Sequence, residues 1–458
     1  MGVYTTTNPA TGDVLETYPE VPDAELKEML TRSAAAYRSW RRTPLDQRRA
    51  VLVRAAELHR EQAEELAALL TLEMGKPIAQ ARGEVALVAS IYQYYADHAE
   101  QFLADEPLKI SGRGTAVVRT EPIGPLVGVM PWNFPYYQVA RFAAPNIVLG
   151  NTVLIKHARN CPQSALAVER VLTEAGLPQG VYQNAFISSR QVADAIADDR
   201  VQGVSLTGSE KAGAAVAEVA GRHLKKCVLE LGGSDPLIVL QDADLDAAAK
   251  AAAANRLTNA GQACTATKRI LAHSSVYDAF VEKLVAQMSG YTPGDPTSAE
   301  ARMGPLSSAD AADEIDELVE EAVYQGAHVL LDGGRQDGPG AFYRPVLLGG
   351  VTPEMRVYRE ELFGPAGVVY RFETLEEAVD VANDSPYGLA ASVFTEDMEA
   401  AQQVAEALET GMVWINSTSK SAPDLPFGGV KKSGFGRELA HFGVDEFANK
   451  KLVRNPRA

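Results

Sequence analysis

Gly124-Pro125-Leu126-Val127-Gly128-Val129-Met130-Pro131-Trp132-Asn133-Phe134-Pro135 is where the chain changes character. A short apolar run, 126–130, ends in a turn fixed by two prolines. Before it, from about residue 23 to residue 98, the apolar spacing is helical. Leu52, Ala55, Ala56 and Leu58, then Leu66, Leu69 and Leu70, recur at helical intervals between charged positions. Just before it, 108–119 is rich in β-formers with Gly112 and Gly114 at a turn, which predicts an exposed hairpin. After it, short apolar runs alternate with helical patterns. Strands are predicted at 126–130, 153–156, 204–206, 228–231, 237–240, 270–273, 367–370, 391–394 and 412–415, with helices such as 163–175, 209–223, 276–288 and 310–325 between them. Strand–helix alternation predicts parallel sheets built from βαβ units. The 458 residues suffice for two such sheets, since domains run to ~100–200 residues each.

Composition narrows the partners. The chain is 46% hydrophobic and 22% charged, with Gly and Pro spread throughout, which is a globular and not a disordered balance. Its net charge of −17 repels phosphate backbones and anionic lipid, so neither nucleic acid nor a membrane is expected as a partner. Residues 1–11 lack the charged and apolar regions of a signal peptide, and no run of about 18 apolar residues exists to span a bilayer. Three cysteines, Cys161, Cys227 and Cys264, are too few and too scattered for a disulfide framework. The expectation is a reducing cytoplasm.

Several chemistries lack their motif. There is no G-x-G-x-x-G after a strand, no P-loop, no G-x-S-x-G elbow, and no His or Cys pairing of metal-ligand spacing, so no metal is expected. Four stretches remain. Asn259-Ala260-Gly261-Gln262-Ala263-Cys264-Thr265 surrounds a thiol with small residues at a tight turn. A lone cysteine is usually a small buried hydrophobe, the reading adopted for Cys161 and Cys227, but Cys264 has no apolar strand about it. Glu230-Leu231-Gly232-Gly233 puts a carboxylate at a strand end beside open backbone, where it can serve as a general base or simply be solvated. Asn133, between two prolines, can stabilise an oxyanion or cap its own turn. Thr207-Gly208-Ser209-Glu210-Lys211-Ala212-Gly213 ends a strand and opens a helix, where free N–H groups can hold a phosphate or Ser209 can act as a plain cap.

Taken in order, these stretches resemble the aldehyde dehydrogenase superfamily. The resemblance runs nearly end to end, from Asn8-Pro9-Ala10-Thr11-Gly12 and Glu73-Met74-Gly75-Lys76-Pro77 through the four stretches above. It continues to Glu360-Glu361-Leu362-Phe363-Gly364-Pro365, Tyr387-Gly388-Leu389 and Pro426-Phe427-Gly428-Gly429-Val430-Lys431-Lys432-Ser433-Gly434. Leu154-Ile155-Lys156-His157-Ala158 and Leu231-Gly232-Gly233-Ser234-Asp235-Pro236 resemble the bacterial succinate-semialdehyde dehydrogenase branch. Most other relatives carry Pro where this chain has His157.

The resemblance implies two Rossmann-like parallel-sheet domains and a small β oligomerisation arm: cofactor-binding at 1–107 and 124–230, catalytic at 231–416, and the arm at 108–123 and 440–458. It implies a homodimer or homotetramer. It casts Cys264 as the nucleophile, Asn133 with the Cys264 N–H as oxyanion hole, and Glu230 as the base that activates water. Trp132, Lys156, Thr207, Gly208, Ser209, Gly213, Glu361 and Phe363 match cofactor-binding positions. NAD-preferring relatives often hold an acidic residue three positions after the lysine. Here that position is Arg159, which can take an extra phosphate bidentately, so NADP is expected as the preferred cofactor with NAD possible.

Arg141 and Ser421 match positions that grip a substrate carboxylate, which points to succinate semialdehyde. A second arginine that some of those relatives place six residues before the nucleophile is Thr258 here. Lys420 or Arg256 could compensate, but the sequence places neither. The alternatives are a dehydrogenase of glutarate semialdehyde or uncharged aldehydes, a CoA-acylating enzyme, against which Glu230 argues, and a catalytically silent binding protein on the same fold.

Overall fold

The computed structural model describes residues 2–457. Met1 and Ala458, the outer ends of the first expected domain and of the arm, lie outside the described residues. Two large sheets carry the fold. The first has six strands in the order Gly434–Phe435, Lys226–Glu230, Gly203–Thr207, Pro125–Met130, Thr152–His157, Tyr182–Asn184. All pairs are parallel except the one made by Gly434–Phe435. The second has seven, in the order His328–Leu331, Val346–Gly349, Ala366–Phe372, Arg269–His273, Pro236–Val239, Ala390–Phe394, Met412–Ile415, antiparallel only at its first strand. The α/β reading with two parallel sheets therefore holds.

Side-chain alternation explains the apolar runs. Leu126 enters a core shared with the long N-terminal helices, whereas Val127 enters a second core on the opposite face, and Val153 and Leu154 divide in the same way. In the second sheet Leu237 and Ile238 face different cores, as do Ile270 and Leu271. Strands covered on both faces have no polar side to show, so their sequence reads as continuous Val, Leu and Ile.

Four helices, Asp23–Trp40, Leu45–Glu61, Ala63–Met74 and Ile78–Phe102, occupy the N-terminal helical zone. The expected hairpin is present but incomplete by itself. Thr115–Pro122 pairs with Glu106–Pro107 on one side and, along its full length, with Ala448–Asn455 on the other. The C-terminal tail thus returns to the middle of the chain to build a three-stranded arm. A second return, Gly434–Phe435 onto Lys226–Glu230, brings the Pro426–Gly434 stretch against the first sheet. Two residues are too short a strand to announce themselves in sequence. The helix Pro135–Leu149 is buried at every position and tolerates Pro145 inside it. With no polar stripe it has no amphipathic period to read.

Candidate active site

The expected cofactor-binding residues of the first half gather at one edge of the first sheet. Pro125–Met130 leads into Trp132 and Asn133, Gly203–Thr207 into Gly208 and Ser209, and Thr152–His157 ends at Lys156 and His157 with Arg159 just beyond, while Lys226–Glu230 ends on Glu230. The carboxyl ends of parallel strands are where open α/β sheets hold their ligands.

Cys264 stands on a loop with an unusual backbone. Asn259, Ala260 and Gly261 have φ of 51°, 53° and 77°, three successive left-handed residues. Such a conformation costs about 1–3 kcal/mol for each non-glycine residue and persists only where its surroundings enforce it. They do so here. Arg256, fully buried, donates to the carbonyls of Gly261 (2.6 Å), Gly364 (2.7 Å) and Leu362 (3.3 Å). The Gln262 side chain donates to Asn259 O (3.0 Å) and accepts from Ser307 N (2.8 Å). A Cβ on Gly261 would lie 2.3 Å from Gly364 O, so only glycine fits.

On the far side of the thiol, Lys268 donates its buried ammonium to the carbonyls of Ala263 (3.1 Å), Cys264 (2.9 Å) and Ala266 (3.2 Å), and pairs with Glu361 Oε1 at 3.1 Å. Glu361 also accepts from Gly233 N at 3.0 Å. Burial pushes the Cys264 thiol up to about 12, against the pull of the Arg141 and Lys268 cations.

Asn133 is buried and donates from its side chain to Gln262 O at 3.0 Å, which fixes it beside the thiol loop. Its own carbonyl accepts from Lys76 Nζ (2.9 Å) and from the Asn259 side chain (3.1 Å). Lys76 stacks over the Phe134 ring, 3.8 Å from its centroid, and pairs with Glu84 where both are buried. The other Glu84 oxygen accepts from Tyr136 N and Tyr137 N, at the start of the helix Pro135–Leu149.

Glu230 is buried with neither carboxyl oxygen hydrogen-bonded among the described residues. Its burial raises it well above the usual carboxylate range; Arg141 opposes that and Glu438 adds to it. Gly428 makes room for it, since a Cβ there would lie 2.8 Å from Glu230 Oε1.

Two cavities meet at the thiol. One, about 330 Å³, is lined by Trp132, Asn133, Thr207, Gly208, Ser209, Glu230, Glu361 and Phe363 among others. The second, about 320 Å³, is lined by Phe134, Tyr137, Thr265, Ser419, Lys420, Ser421 and Phe427 among others. Cys264 and Gln138 are the residues that line both. A thiol so placed can attack an electrophile on one side while a second molecule reacts from the other.

In the first cavity Trp132 meets Phe363 edge-on with centroids 5.8 Å apart. Ser209 caps the helix Glu210–Arg222, its hydroxyl accepting from Ala212 N at 3.3 Å. Lys156 and Arg159 lie beyond this cavity, flanking Tyr4, with their charged ends 5.6 and 5.8 Å from its ring. Burial brings Lys156 down to about 8, and among the described residues no hydrogen bond or carboxylate partner holds its amino group, so an incoming anionic or hydroxyl ligand can. The open helix start at Ser209 and the unpartnered Lys156 fit a dinucleotide. Arg159 is half exposed and paired with Glu20, so a ligand phosphate must share it.

Two of the expected contact residues do not line either cavity. Gly213 lies within the helix, and a Cβ there would meet the Leu231 side chain at 2.7 Å. The glycine thus lets the helix pack closely on Leu231. Arg141 does not line the substrate-side cavity. It is 1% exposed and ion-pairs with Glu438. It donates to Thr207 Oγ1 (3.1 Å) and Tyr137 Oη (3.3 Å) and stacks on Phe427 at 4.4 Å. Two of its five N–H groups are hydrogen-bonded in this way. Tyr137 and Phe427, both of which it touches, line that cavity, and the Tyr137 hydroxyl donates to Ser421 Oγ at 2.8 Å. Arg256 cannot compensate for Thr258, being committed to backbone carbonyls.

Sequence reasoning missed Lys268, Lys76, Glu84 and Glu438. A buried charge met in sequence looks like a surface one. Among the described residues no His, Cys, Asp and Glu group could hold a metal, and no helix is long and apolar enough to cross a membrane.

The aldehyde dehydrogenase family pattern matches residues 2–453. A succinate-semialdehyde dehydrogenase [NADP(+)] of Deinococcus radiodurans is 54% identical over 451 residues, covering 98% of this chain and 94% of that one. A succinate semialdehyde dehydrogenase [NAD(P)+] of Escherichia coli is 45% identical over 446 residues, covering 97% and 96%. The crystal structure of succinic semialdehyde dehydrogenase from Streptococcus pyogenes in complex with NADP+ superposes with a TM-score of 0.97 at 43% identity, over 99% of this chain and 100% of that one. A thiol between two cavities, in a chain that matches one family pattern over almost its whole length, leads to one conclusion: this chain belongs to the aldehyde dehydrogenase family.

Proposed function

We propose that the chain oxidises succinate semialdehyde to succinate, preferring NADP and also accepting NAD. The observation that carries this reading is Cys264 at the junction of the two cavities. The curated relatives described above, whose names give that substrate with NADP(+) or NAD(P)+, support the choice of aldehyde and cofactor.

In this reading Cys264 adds as a thiolate to the aldehyde carbon, forming a carbon–sulfur bond and a thiohemiacetal oxyanion. The second N–H of the Asn133 amide and the Cys264 backbone N–H receive the oxygen. The nicotinamide, when bound, supplies the hydride acceptor that leaves a thioester on Cys264. Glu230 then takes a proton from water, which cleaves the carbon–sulfur bond, releases the acid and returns the thiolate. Burial disfavours the Glu230 carboxylate and Arg141 favours it, so the balance of the two sets its strength as a base in the cavity that it lines. Trp132, Thr207, Gly208, Ser209, Glu361 and Phe363 hold the cofactor along that cavity, with Lys156 and Arg159 at the adenosine end. Ser421 donates to the substrate carboxylate. The enzyme works in the cytoplasm as a homodimer or homotetramer built on the arm, which sedimentation equilibrium tests.

The discriminating measurement is kcat/KM for succinate semialdehyde, glutarate semialdehyde and butanal with each cofactor. Succinate semialdehyde with NADP ranks first. Arg159→Ala lowers the NADP-to-NAD ratio by about tenfold. Equal rates for butanal and succinate semialdehyde would overturn the substrate, and an unchanged cofactor ratio the role of Arg159.

A further inference from the structure

Hydrolysis of an acyl enzyme needs a water whose oxygen faces the acyl carbon while one of its protons faces a base. Glu230 accounts for the proton. A single carboxylate leaves a bound water free to turn about one hydrogen bond, so a second group must fix the direction of its oxygen.

Four side-chain oxygens bear on this. Glu230 Oε1 and Oε2, Asn133 Oδ1 and Gln138 Oε1 are all buried, and none has a hydrogen-bond partner among the described residues. Their three residues line the first cavity together with Cys264. With Glu230 ionised, as a base must be, all four atoms are acceptors, and acceptors form no bond with one another. Such groups are costly to leave buried and bare. Water is the smallest molecule that brings two O–H donors to them.

Gln138 stands apart from the other two. Besides Cys264 it is the one residue that lines both cavities. It lies on the first turn of the helix Pro135–Leu149, where its N–H donates to Phe134 O at 3.0 Å, and it is 2% exposed. The same helix buries Arg141 and Asn146, and both are engaged. Arg141 pairs with Glu438, while Asn146 donates to Phe142 O at 2.8 Å and accepts from the Asn151 side chain at 2.9 Å. Methionine would fill the Gln138 position without burying a bare carbonyl. The amide therefore serves a molecule that enters the cavity.

We infer that Gln138 and Glu230 together hold the water that hydrolyses the acyl enzyme proposed above, the Gln138 side-chain carbonyl accepting from one O–H and Glu230 from the other. Two acceptors on two O–H groups fix the plane of the water and turn a lone pair of its oxygen toward the acyl carbon on Cys264. That oxygen forms the new carbon–oxygen bond as the first proton passes to Glu230. The electron pair of the carbon–sulfur bond leaves on sulfur. The second O–H stays with the product as the hydroxyl of the acid. Formation of the thioester consumes no water, so it proceeds without Gln138.

The test separates the two halves of one turnover. Wild type and Gln138→Met, each in excess over succinate semialdehyde and with saturating NADP, are mixed rapidly. Reduced cofactor reports formation of the thioester, and succinate in quenched samples reports its hydrolysis. In Gln138→Met hydrolysis slows about tenfold, the worth of one hydrogen bond. Thioester formation keeps its wild-type rate, and mass analysis finds the succinyl group on Cys264 for correspondingly longer. The melting temperature is unchanged or higher, since no bare amide is buried. Gln138→Leu, tested alongside, shows the same split. Equal slowing of both halves in a folded variant, or hydrolysis at the wild-type rate, overturns the inference while the acyl enzyme stands. A wild type that releases succinate with no succinyl group ever found on Cys264 overturns the acyl-enzyme reading and this inference with it.

Discussion

Burial is the largest influence on the Cys264 thiol, and it works against the thiolate. It drives the group up to about 12, and Arg141 and Lys268 recover only part of the loss, while Glu361 and Asp235 add to the rise. The resting thiol therefore keeps its proton at neutral pH. The sign follows directly. Only the thiolate reacts with an alkylating agent, so the rate for the cofactor-free enzyme is low at pH 7 and climbs about tenfold per pH unit without reaching a plateau below pH 10. Lys268→Gln removes a cation, disfavours the thiolate further and lowers the rate at every pH in that range. A wild-type plateau near pH 7, measured by iodoacetamide inactivation, would contradict this account of the thiol.

The helix Pro135–Leu149 and the turn before it show how an element delivers a residue. Glu84 accepts from the first N–H groups of that helix and pairs with Lys76, and Lys76 donates to the carbonyl of Asn133. One buried ion pair thus sets the helix start and the amide next to Cys264. Lys76→Met leaves Glu84 buried without its partner, a loss of about 3–5 kcal/mol. It also releases Asn133, so kcat falls by about tenfold or more with little change in KM. The double variant Lys76→Met/Glu84→Gln recovers much of the stability but not kcat. If thermal unfolding and steady-state rates show both recovering together, Lys76 serves only stability.

Legibility divides along the same line. Cys264, Glu230 and Asn133 could be singled out because each sits in a short stretch of small or turn residues whose purpose is visible locally. Lys76 and Lys268 could not, because their acceptors are carbonyls brought near by the fold. Arg141 was located by its place in the motif, but its partner Glu438, nearly three hundred residues later in the chain, leaves no local trace. Most strands with both faces buried were readable as apolar runs, but Tyr182–Asn184 and Val346–Gly349, buried at every position, were not singled out. The helix Pro135–Leu149 lost its period for the same cause, and the two-residue strand Gly434–Phe435 is too short to leave a pattern.

At the scale of the molecule, the two sheets are separate in sequence apart from the returning strand Gly434–Phe435, yet the site draws on both. The first contributes Asn133, Glu230 and the helix start at Ser209. The thiol loop lies between Pro236–Val239 and Arg269–His273 of the second, and Glu361 and Phe363 precede its strand Ala366–Phe372. The C-terminal segment then crosses back to supply Ser421, Lys420 and Gly428 before it joins the arm. The junction of two cavities at one sulfur is a property of this whole arrangement, and the central claim, a covalent acyl intermediate on Cys264, depends on it. The most direct test is rapid mixing of the Glu230→Gln variant with succinate semialdehyde and NADP, followed by mass analysis of the peptide that carries Cys264. The account predicts a burst of about one equivalent of reduced cofactor per chain, then arrest, with a succinyl group on Cys264. Sustained turnover at the wild-type rate, or a burst that leaves Cys264 unmodified, would contradict it.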